Sequence, residues 1–456
     1  MESLPVIAVF DIGKTNKKLF LFDEAYKIVY EKSETFRELF DEDGFPCEDL
    51  EKLQQFLFDS LKEVLGNKLY RIKAIQLSAY GASLVILDKN GKPLTPLYNY
   101  LKPYPQSLRK EFYQKYGGEE VFSLETASPV LGNLNSGLQL YRFKKEKPNL
   151  FDKVYYALHL PQYMSFLLTG IPCSDITSIG CHTALWDFNK NTYHNWVIKE
   201  GILDKLAPLI SSEKVFPSNS FIPSIPVGIG LHDSSAALIP YLTRFKEAFV
   251  LISTGTWCIS LNPFNSNPLT PLELKNDCLS YLQYQGNPVK ASRIFLGNEH
   301  EIQVKRIASF FNTDPKKYQN LEFNQEISFF DSASSSRNPG PYRLLESEFS
   351  SRELSGYKND IEAYYRLVQD LVNLQFYSTN LIIGDKTLNQ ICIDGGFANN
   401  TVYMNLLARL YPDKHIYASF QAQSTALGAA LSLHSIWNTQ SLPVEPSPLI
   451  PYSDMD

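Results

Sequence analysis

The sequence has no apolar run that approaches the 18 residues of a membrane-spanning helix. Its N-terminus lacks the basic segment and apolar stretch that a secretory signal needs. The 43 Lys and Arg are dispersed among 49 Asp and Glu, and the formal net charge is −6, which argues against a nucleic-acid groove or a membrane-binding surface. We therefore expect a cytoplasmic protein with no nucleic acid and no membrane as a partner.

Cysteine is also scarce, with six in 456 residues, and no pair has the spacing of a zinc ligand set or a redox motif. This density is far below that of a disulfide scaffold, so reduced, buried thiols are expected. The two usual glycine-rich phosphate loops, G-x-x-x-x-G-K-[ST] and a G-x-G-x-x-G that follows a strand, are both absent. A phosphate site in this chain must therefore be built in another way.

The length and the pattern of the chain indicate two α/β domains. A chain of 456 residues is too long for one ordinary core, and 44% hydrophobic residues can fill two. Strands and helices alternate from the start, and a hairpin is predicted to turn at Asn90-Gly91 in a type I′ turn. The pattern restarts after Glu247, so we predict domains at 1–244 and 245–456.

The first candidate site is the polar loop inside VIAVFDIGKTNKKLFLFD, residues 6–23. A glycine in a tight turn lets backbone N–H groups face a phosphate, hydroxyl and amide groups add donors, and lysine neutralises charge. The aspartate repels an anion unless a metal arrives with it. An ordinary hairpin with a solvated tip is the alternative. The candidate residues are Asp11, Gly13, Lys14, Thr15, Asn16 and Lys17.

A second loop of the same composition follows at residues 253–257, again between two apolar strands. Two such loops at equivalent points of two repeats suggest that a nucleotide places its phosphates between the halves, although duplication alone could also preserve a turn. The stretch DGGFANN, residues 394–400, ends a strand and lets a flat ligand lie against the backbone. The candidate residues are Thr254, Gly255, Thr256, Gly395, Gly396 and Asn399.

His232 and Asp233 precede a helix rich in small residues. A carboxylate at this place can accept the proton of a hydroxyl group that attacks a γ-phosphate. An aspartate that only caps the helix is equally compatible with the spacing.

Taken together, these stretches resemble the FGGY family of carbohydrate kinases. The matching segments, in order, are DIGKTNKK (11–18), GIGLHDSSAAL (228–238), STGTW (253–257), DGGFANN (394–400) and STALGAALSL (424–433). The resemblance implies an α/β fold of two ribonuclease-H-like domains, as in actin-like ATPases, around a central cleft. It also implies that ATP is held mainly by the second domain and a sugar mainly by the first.

The resemblance assigns roles to individual residues. Asp233 matches the family's catalytic base, and Asp11 matches the carboxylate that organises Mg²⁺. Tyr80 and Gly81 fall where the family contacts its sugar, and His232 resembles the histidine of rhamnulokinases that binds a sugar hydroxyl. A structural histidine bonded to a backbone carbonyl is an equal alternative for His232. The glycine, threonine, lysine and asparagine residues named above match the segments that bind ATP. The family's members are often homodimers.

The sequence departs from the family at the place where many members hold the sugar with a Trp-x-Asp segment, which here reads Tyr98-Asn99-Tyr100. The expected function is ATP-dependent phosphorylation of a small sugar, a ketose such as L-rhamnulose, L-fuculose or a xylulose-type pentulose. The alternative is a nucleotide-binding sensor or switch of the same superfamily that transfers nothing. The identity of the sugar, and the hydroxyl that is phosphorylated, are not encoded in these motifs.

Overall fold

The structure is a computed structural model, and it describes residues 3–219, 223–327, 347–384, 388–420, 423–442 and 449–452. The chain divides into two compact units. The first unit consists of Met1–Arg244, Ser280–Asn287 and Gln423–Pro446. The second unit consists of Phe245–Leu279, Pro288–Ala422 and Ser447–Asp456.

The first 244 residues contain fifteen of the strands and nine of the α-helices that the structure describes. The strands are β1 (Leu4–Ile12), β2 (Asn16–Asp23), β3 (Ile28–Thr35), β4 (Leu39–Phe40), β5 (Pro46–Cys47), β6 (Tyr70–Ala79), β7 (Leu84–Leu87), β8 (Tyr156–His159), β9 (Ser174–Asp175), β10 (Trp186–Asp187), β11 (Thr192–Tyr193), β12 (Leu209–Ile210), β13 (Val215–Pro217), β14 (Pro226–Gly228) and β15 (Leu231–His232). The helices are α1 (Leu50–Gly66), α2 (Gln106–Lys115), α3 (Glu119–Glu125), α4 (Ser136–Glu146), α5 (Pro148–Phe151), α6 (Leu160–Thr169), α7 (Ile176–Ile179), α8 (Asn195–Lys199) and α9 (Asp233–Arg244).

The rest of the chain continues the alternation. The strands are β16 (Phe249–Thr254), β17 (Cys258–Asn262), β18 (Cys278–Leu282), β19 (Pro288–Ile294), β20 (Gln390–Gly395), β21 (His415–Ser419) and β22 (Leu449–Tyr452). The helices are α10 (Pro271–Lys275), α11 (Leu296–Phe311), α12 (Asp360–Ile383), α13 (Thr401–Leu410), α14 (Ser424–Ser432) and α15 (His434–Trp437).

The main sheet of the first unit has the strand order β13-β14-β6-β1-β2-β3, and β15 also pairs with β6. Strand β1 is antiparallel to β2 and parallel to β6, which is in turn parallel to β15. The carboxyl ends of parallel strands meet at one edge of a sheet. In this register Asp11 lies opposite Ser78, and His232 lies opposite Ala79. The topology therefore brings Asp11, Tyr80 and Asp233, which are far apart in sequence, to the same edge.

The C-terminal helix α14 belongs to the first unit because it packs closely on α9. A Cβ added to Gly428 of α14 would lie 1.8 Å from the carbonyl oxygen of Ala236 in α9, so only glycine allows this approach. This contact explains why residues 423–446, together with 280–287, depart from the predicted second domain of 245–456. Both segments are distant in sequence from the unit that they join.

The sheet of the second unit has the strand order β18-β19-β17-β16-β20-β21-β22. Strand β16 is antiparallel to β17 and parallel to β20, which is the arrangement of β1 with β2 and β6. Thr254, the last residue of β16, lies opposite Gly395, the last residue of β20. The two glycine-containing segments predicted to bind a nucleotide therefore meet at one sheet edge.

The hairpin predicted at Asn90-Gly91 is observed, but its turn is not of type I′. Leu87 pairs with Pro93 in an antiparallel bridge, and the N–H of Asp88 donates to the carbonyl oxygen of Lys92 at 2.9 Å. Gly91 has a positive φ of +76°, but Asn90 does not have the positive φ that a type I′ turn requires. The side chain of Asp88 stabilises the turn, because it accepts hydrogen bonds from the N–H groups of Asn90 (2.8 Å) and Lys92 (2.9 Å). Strand β7 also pairs with β8.

No helix in the described ranges is both long enough and apolar enough to cross a membrane. All six cysteines lie in those ranges, are buried and form no disulfide. The thiols therefore contribute to packing rather than to cross-linking.

Candidate active site

The loop between β1 and β2 is a tight turn at Gly13, whose N–H donates to the carbonyl oxygen of Asn16 at 2.9 Å. The Asn16 side chain accepts a hydrogen bond from Thr35 Oγ1 at 3.2 Å, and Thr15 is exposed at the tip. Lys14 Nζ lies 2.6 Å from Glu38 Oε1. The tip is thus held by neighbouring strands while its polar residues reach solvent.

Lys17 has a different environment from the rest of this loop. The residue is 1% exposed, and its ammonium group lies 2.8 Å from Glu48 Oε1 and donates to the carbonyl oxygen of Lys14 at 3.0 Å. Glu48 also accepts a hydrogen bond from the hydroxyl group of Tyr80 at 3.2 Å. Lys17 therefore supports the loop from beneath, and its charge is neutralised by a buried carboxylate rather than presented at the tip.

Asp11 and Asp233 form an interacting pair of carboxylates. Asp233 is the first residue of α9, and its Oδ1 accepts a hydrogen bond from the N–H of Ser234 at 2.6 Å. Burial, and then the negative charge of Asp233, raise the pKa of the Asp11 carboxyl to about 7, while Lys18 opposes the shift. Near neutral pH, the Asp11 side chain is therefore present in both its protonated and its ionised form, and a positive charge beside it would favour the ionised form.

Replacing Asp11 by asparagine should stabilise the fold by an amount that depends on pH. The pKa of Asp11 lies higher in the folded state than in the unfolded state, so its ionisation destabilises the fold progressively between about pH 4 and pH 7. We expect the gain in unfolding free energy of Asp11→Asn to grow over this interval and then level off at about 1–3 kcal/mol, because the carboxyl is partly exposed. Denaturant titrations across the pH range measure this difference.

Asp59→Asn in α1 is the control for this experiment, because Asp59 is exposed and its substitution should change the unfolding free energy by no more than about 0.5 kcal/mol. A gain for Asp11→Asn that is the same at pH 4 and pH 8, or a growing loss, would contradict the electrostatic interpretation.

Gly81 packs directly against the imidazole ring of His232. A Cβ at position 81 would lie 2.2 Å from Nε2 of the His232 ring, so any side chain there would displace the imidazole. The backbone N–H of His232 donates to Thr177 Oγ1 at 2.9 Å, and its Nε2 lies 3.5 Å from Oδ1 of Asp233. Burial lowers the pKa of His232, an effect that Asp233 opposes. The residue is thus a neutral imidazole, fixed between the glycine and the carboxylate.

The segment 98–100 places an aromatic ring where the resemblance stated above implies a carboxylate. The ring of Tyr100 meets the ring of Tyr80 edge-on, with a centroid separation of 6.0 Å. The Asn99 side chain turns back to accept a hydrogen bond from the N–H of Leu101, and the Tyr98 hydroxyl donates to Glu42. Of these three residues, Tyr100 packs on a predicted sugar-binding residue.

In the second unit, the β16–β17 loop is fixed by contacts that only glycine permits. The N–H of Gly255 donates to the carbonyl oxygen of Trp257 at 2.9 Å. An added Cβ on Gly297 would lie 1.9 Å from the carbonyl oxygen of Gly255, and one on Gly395 would lie 1.9 Å from that of Thr254. Thr254 Oγ1 donates to the carbonyl oxygen of Asp394 at 2.6 Å. The loop, the start of α11 and the end of β20 are therefore closely packed.

These glycines border a pocket of about 630 Å³, which is within the usual size range for small-molecule sites. The rings of Tyr318 and Tyr364 stack along it, with a centroid separation of 4.7 Å and an interplanar angle of 12°. Asn400 donates to the hydroxyl group of Tyr364 at 2.8 Å, and burial lowers the pKa of His300 to about 4. The pocket thus combines neutral polar groups and aromatic rings with exposed backbone at its glycines. Its lining includes Gly255, Gly297, His300, Glu301, Lys305, Lys316, Tyr318, Tyr364, Gly396, Phe397, Asn399 and Asn400.

Family models match nearly the whole chain. Residues 6–240 match the N-terminal domain of the FGGY family of carbohydrate kinases, and residues 246–441 match the C-terminal domain of carbohydrate kinase FGGY. The chain belongs to the FGGY family of carbohydrate kinases. The resemblance expected from the motifs is therefore confirmed.

Known proteins similar to this FGGY chain include a rhamnulokinase of Oceanobacillus iheyensis, 25% identical over 235 residues, which cover 48% of this chain and 48% of the relative. The match thus spans about half the length of that curated relative. A carbohydrate kinase from Novosphingobium aromaticivorans has a similar structure, with a TM-score of 0.79, 21% identity, and coverage of 98% of this chain and 96% of the other. A xylulose kinase from Lactobacillus acidophilus has a TM-score of 0.76 and 16% identity, covering 98% of this chain and 93% of the other.

These structural similarities concern the fold. They confirm the predicted α/β fold of two ribonuclease-H-like domains of the actin-like ATPase type for this FGGY chain.

The structure gathers the predicted FGGY site residues in two groups, one in each unit. Asp11, His232 and Asp233 lie at one sheet edge with Tyr80 and Gly81. Gly255, Gly396 and Asn399 line the pocket of the second unit, whereas Thr254 is buried behind it at 6% exposure.

The pocket residues of the FGGY protein that sequence reasoning missed include Gly297, Tyr318 and Tyr364. Gly297 lies near the start of α11. No sequence motif links it to Gly255, so the contact between these two glycines could not be predicted. The tyrosines lie on a short helical turn at 315–320 and on α12, and a tyrosine on an amphipathic helix usually indicates a core position.

Proposed function

We propose that this chain transfers the γ-phosphate of ATP to a hydroxyl group of a small sugar. The proposal is carried by Asp233, a carboxylate at the start of a helix, beside a second carboxylate and a neutral histidine. Family membership and the glycine-bordered pocket of the second unit support it.

Asp233 acts as the general base. Its Oδ1 is oriented by the N–H of Ser234, and the carboxylate is partly exposed, so it can meet a substrate hydroxyl. As that oxygen attacks the γ-phosphate, Asp233 accepts its proton, and ADP leaves with the former bridging oxygen. Positioning the hydroxyl group and the phosphate supplies most of the remaining rate acceleration.

Asp11 is the residue that would hold Mg²⁺. Its carboxyl interacts unfavourably with Asp233 and has a pKa of about 7, so a cation beside it relieves a cost already present in the fold. Carboxylate oxygens are also ligands that Mg²⁺ prefers. When bound, Mg²⁺ would neutralise part of the charge of the phosphates.

ATP is proposed to bind with its adenosine in the pocket of the second unit, where Gly396 and Asn399 expose backbone and amide groups and the stacked tyrosines offer an apolar face. Thr254, Gly255, Thr256 and Gly395 form the loop and strand end that would contact the phosphates. Gly13, Lys14, Thr15 and Asn16 would contact phosphate from the first unit. Lys17, also predicted to do so, is proposed instead to brace that loop through Glu48.

For the sugar, we favour a ketose of the L-rhamnulose type, with L-fuculose and xylulose-type pentuloses as the other candidates. The rhamnulokinase relatives and the His232-Asp233 pair support this choice. Because Gly81 has no side chain, the imidazole ring of His232 packs directly against its backbone. This imidazole can exchange a hydrogen bond with a hydroxyl group of the sugar. A cytoplasmic location is proposed with it, since the buried cysteines form no disulfides.

A coupled assay of ADP release tests the proposal. With Mg²⁺ and ATP, we expect L-rhamnulose to raise the rate at least about 100-fold above the rate without sugar, because closure around both substrates excludes water as an acceptor. L-fuculose, D-xylulose and glycerol serve as comparison acceptors. Nucleotide binding without ADP release on any of these acceptors would favour the non-catalytic sensor instead.

A further inference from the structure

Three metal-ligating side chains, Cys181, His182 and His232, lie together in the first unit. One ligand atom from each, the cysteine sulfur and one ring nitrogen of each histidine, lies within 4.8 Å of the others. Cys181 and His232 are each 4% exposed, and His182 is partly exposed. The nucleotide pocket and the phosphate loops do not include Cys181 or His182, so these two residues have no role in the function proposed above, whereas His232 is proposed there to contact the sugar.

The hydrogen bonds that orient the two histidine rings are compatible with metal ligation. His182 Nδ1 lies 3.0 Å from the carbonyl oxygen of Leu134, which can only accept, so Nε2 carries the lone pair. The Nε2 atom of His232 faces Asp233, and its Nδ1 has no hydrogen-bond partner among the described residues. Metal-bound histidines in proteins characteristically pair their second nitrogen with a carbonyl or carboxylate oxygen.

The backbone holds His182 in a conformation that favours glycine. Its φ is +42°, and two residues later Ala184 has a φ of +63°. Such conformations cost about 1–3 kcal/mol each and persist where the surrounding structure fixes them, often at ligand sites. Here the strained segment places the His182 ring beside His232, with a centroid separation of 6.1 Å and an interplanar angle of 82°.

We propose that Cys181, His182 and His232 form a binding site for Zn²⁺. Thiolate and imidazole ligands select a cation of this type over Mg²⁺, which prefers oxygen. Zinc bonds of about 2.3 Å to sulfur and about 2.0 Å to nitrogen place the ligand atoms roughly 3.5 Å apart, so a contraction of about 1 Å completes the site. The fourth position is left to water.

Zinc in this site would inhibit the kinase, an effect that rests on the proposed function. The metal fixes the imidazole of His232 and directs its Nε2–H at Asp233, so that carboxylate is engaged by a donor rather than free to accept a substrate proton. The same imidazole is then unavailable to a sugar hydroxyl.

Metal binding by the full chain tests the site without reference to catalysis. We expect the purified protein to bind one equivalent of Zn²⁺ in competition with a chromophoric chelator, and Co²⁺ to give the absorption band of a thiolate ligand. Cys181→Ser should abolish that band and weaken Zn²⁺ binding at least about 100-fold, and His182→Asn should weaken binding similarly. Cys173→Ser, a fully buried cysteine of the same unit, is the matched control and should bind as the unmodified chain does.

Co²⁺ binding without the thiolate band, or equal Zn²⁺ affinity in Cys181→Ser and Cys173→Ser, would overturn the site. If ADP release is observed, Zn²⁺ should lower it in the unmodified chain but not in Cys181→Ser, and equal inhibition of both would overturn the inhibitory role. If no acceptor supports ADP release, the binding measurements still decide the site.

Discussion

Replacing Asp233 by asparagine should lower kcat for sugar-dependent ADP release by about 1,000-fold, the middle of the range for loss of a general base. The substitution keeps the shape of the side chain and an oxygen that can accept the hydrogen bond from the N–H of Ser234. It removes the capacity to take a proton from the substrate. The pocket proposed to bind the nucleotide is lined by residues of the second unit, so ATP affinity, measured by calorimetry, should stay within about threefold.

Asp49 provides the matched control, because its Oδ1 accepts a backbone N–H, that of Lys52, at the start of α1. Asp49→Asn should leave kcat unchanged. If Asp233→Asn keeps kcat within tenfold of the unmodified chain, Asp233 stabilises the N-terminus of α9 and is not the general base. If it instead lowers the melting temperature strongly, the loss of activity must be compared at a temperature where both proteins are folded.

Replacing Gly297 by alanine should weaken ATP binding by about 100-fold, which corresponds to roughly 2.7 kcal/mol. The new Cβ would lie 1.9 Å from the carbonyl oxygen of Gly255 and 3.2 Å from the Cα of Thr256. Both atoms belong to the backbone, so the β16–β17 loop must move as a whole. Because Gly255 and Gly297 both border the pocket, the displacement reaches the proposed nucleotide. Calorimetric titration with a non-hydrolysable ATP analogue measures the change.

Gly356→Ala is the control for Gly297→Ala. Gly356 lies in the same unit, has no atom within 4 Å of the added Cβ and does not have a positive φ. Its substitution should leave ATP affinity unchanged. Equal affinities for the Gly297→Ala variant and the control would show that the loop geometry is not needed for nucleotide binding.

The fold was predictable because its main signals are local. The strand-turn-strand units that became β1–β2 and β16–β17 are each contained in twenty residues or fewer, and alternating apolar stretches determine them. The sequence likewise predicts a long helix over residues 360–382, and α12 is observed as Asp360–Ile383. Recurrence of the same unit in the second half then indicated two similar domains.

The unpredicted features depend on contacts between distant segments. Helix α14 joins the first unit through an approach to Ala236, almost 200 residues earlier in the chain. Lys17 belongs to a polar loop by sequence, yet its ammonium group is buried against Glu48, whose position the loop does not encode. The pocket likewise combines Gly255, Tyr364 and Asn400, which no single motif contains.

Glu48 is shared between two parts of the first unit. It is 5% exposed, and its two oxygens contact the ammonium group of Lys17 and the hydroxyl group of Tyr80. If Tyr80 contacts the sugar and the β1–β2 loop contacts phosphate, as proposed above, a movement of Tyr80 would alter the charge balance at Lys17, and a rearrangement of the loop would act on the tyrosine with the same free energy. The affinities for the two proposed substrates would then be thermodynamically linked through one buried carboxylate.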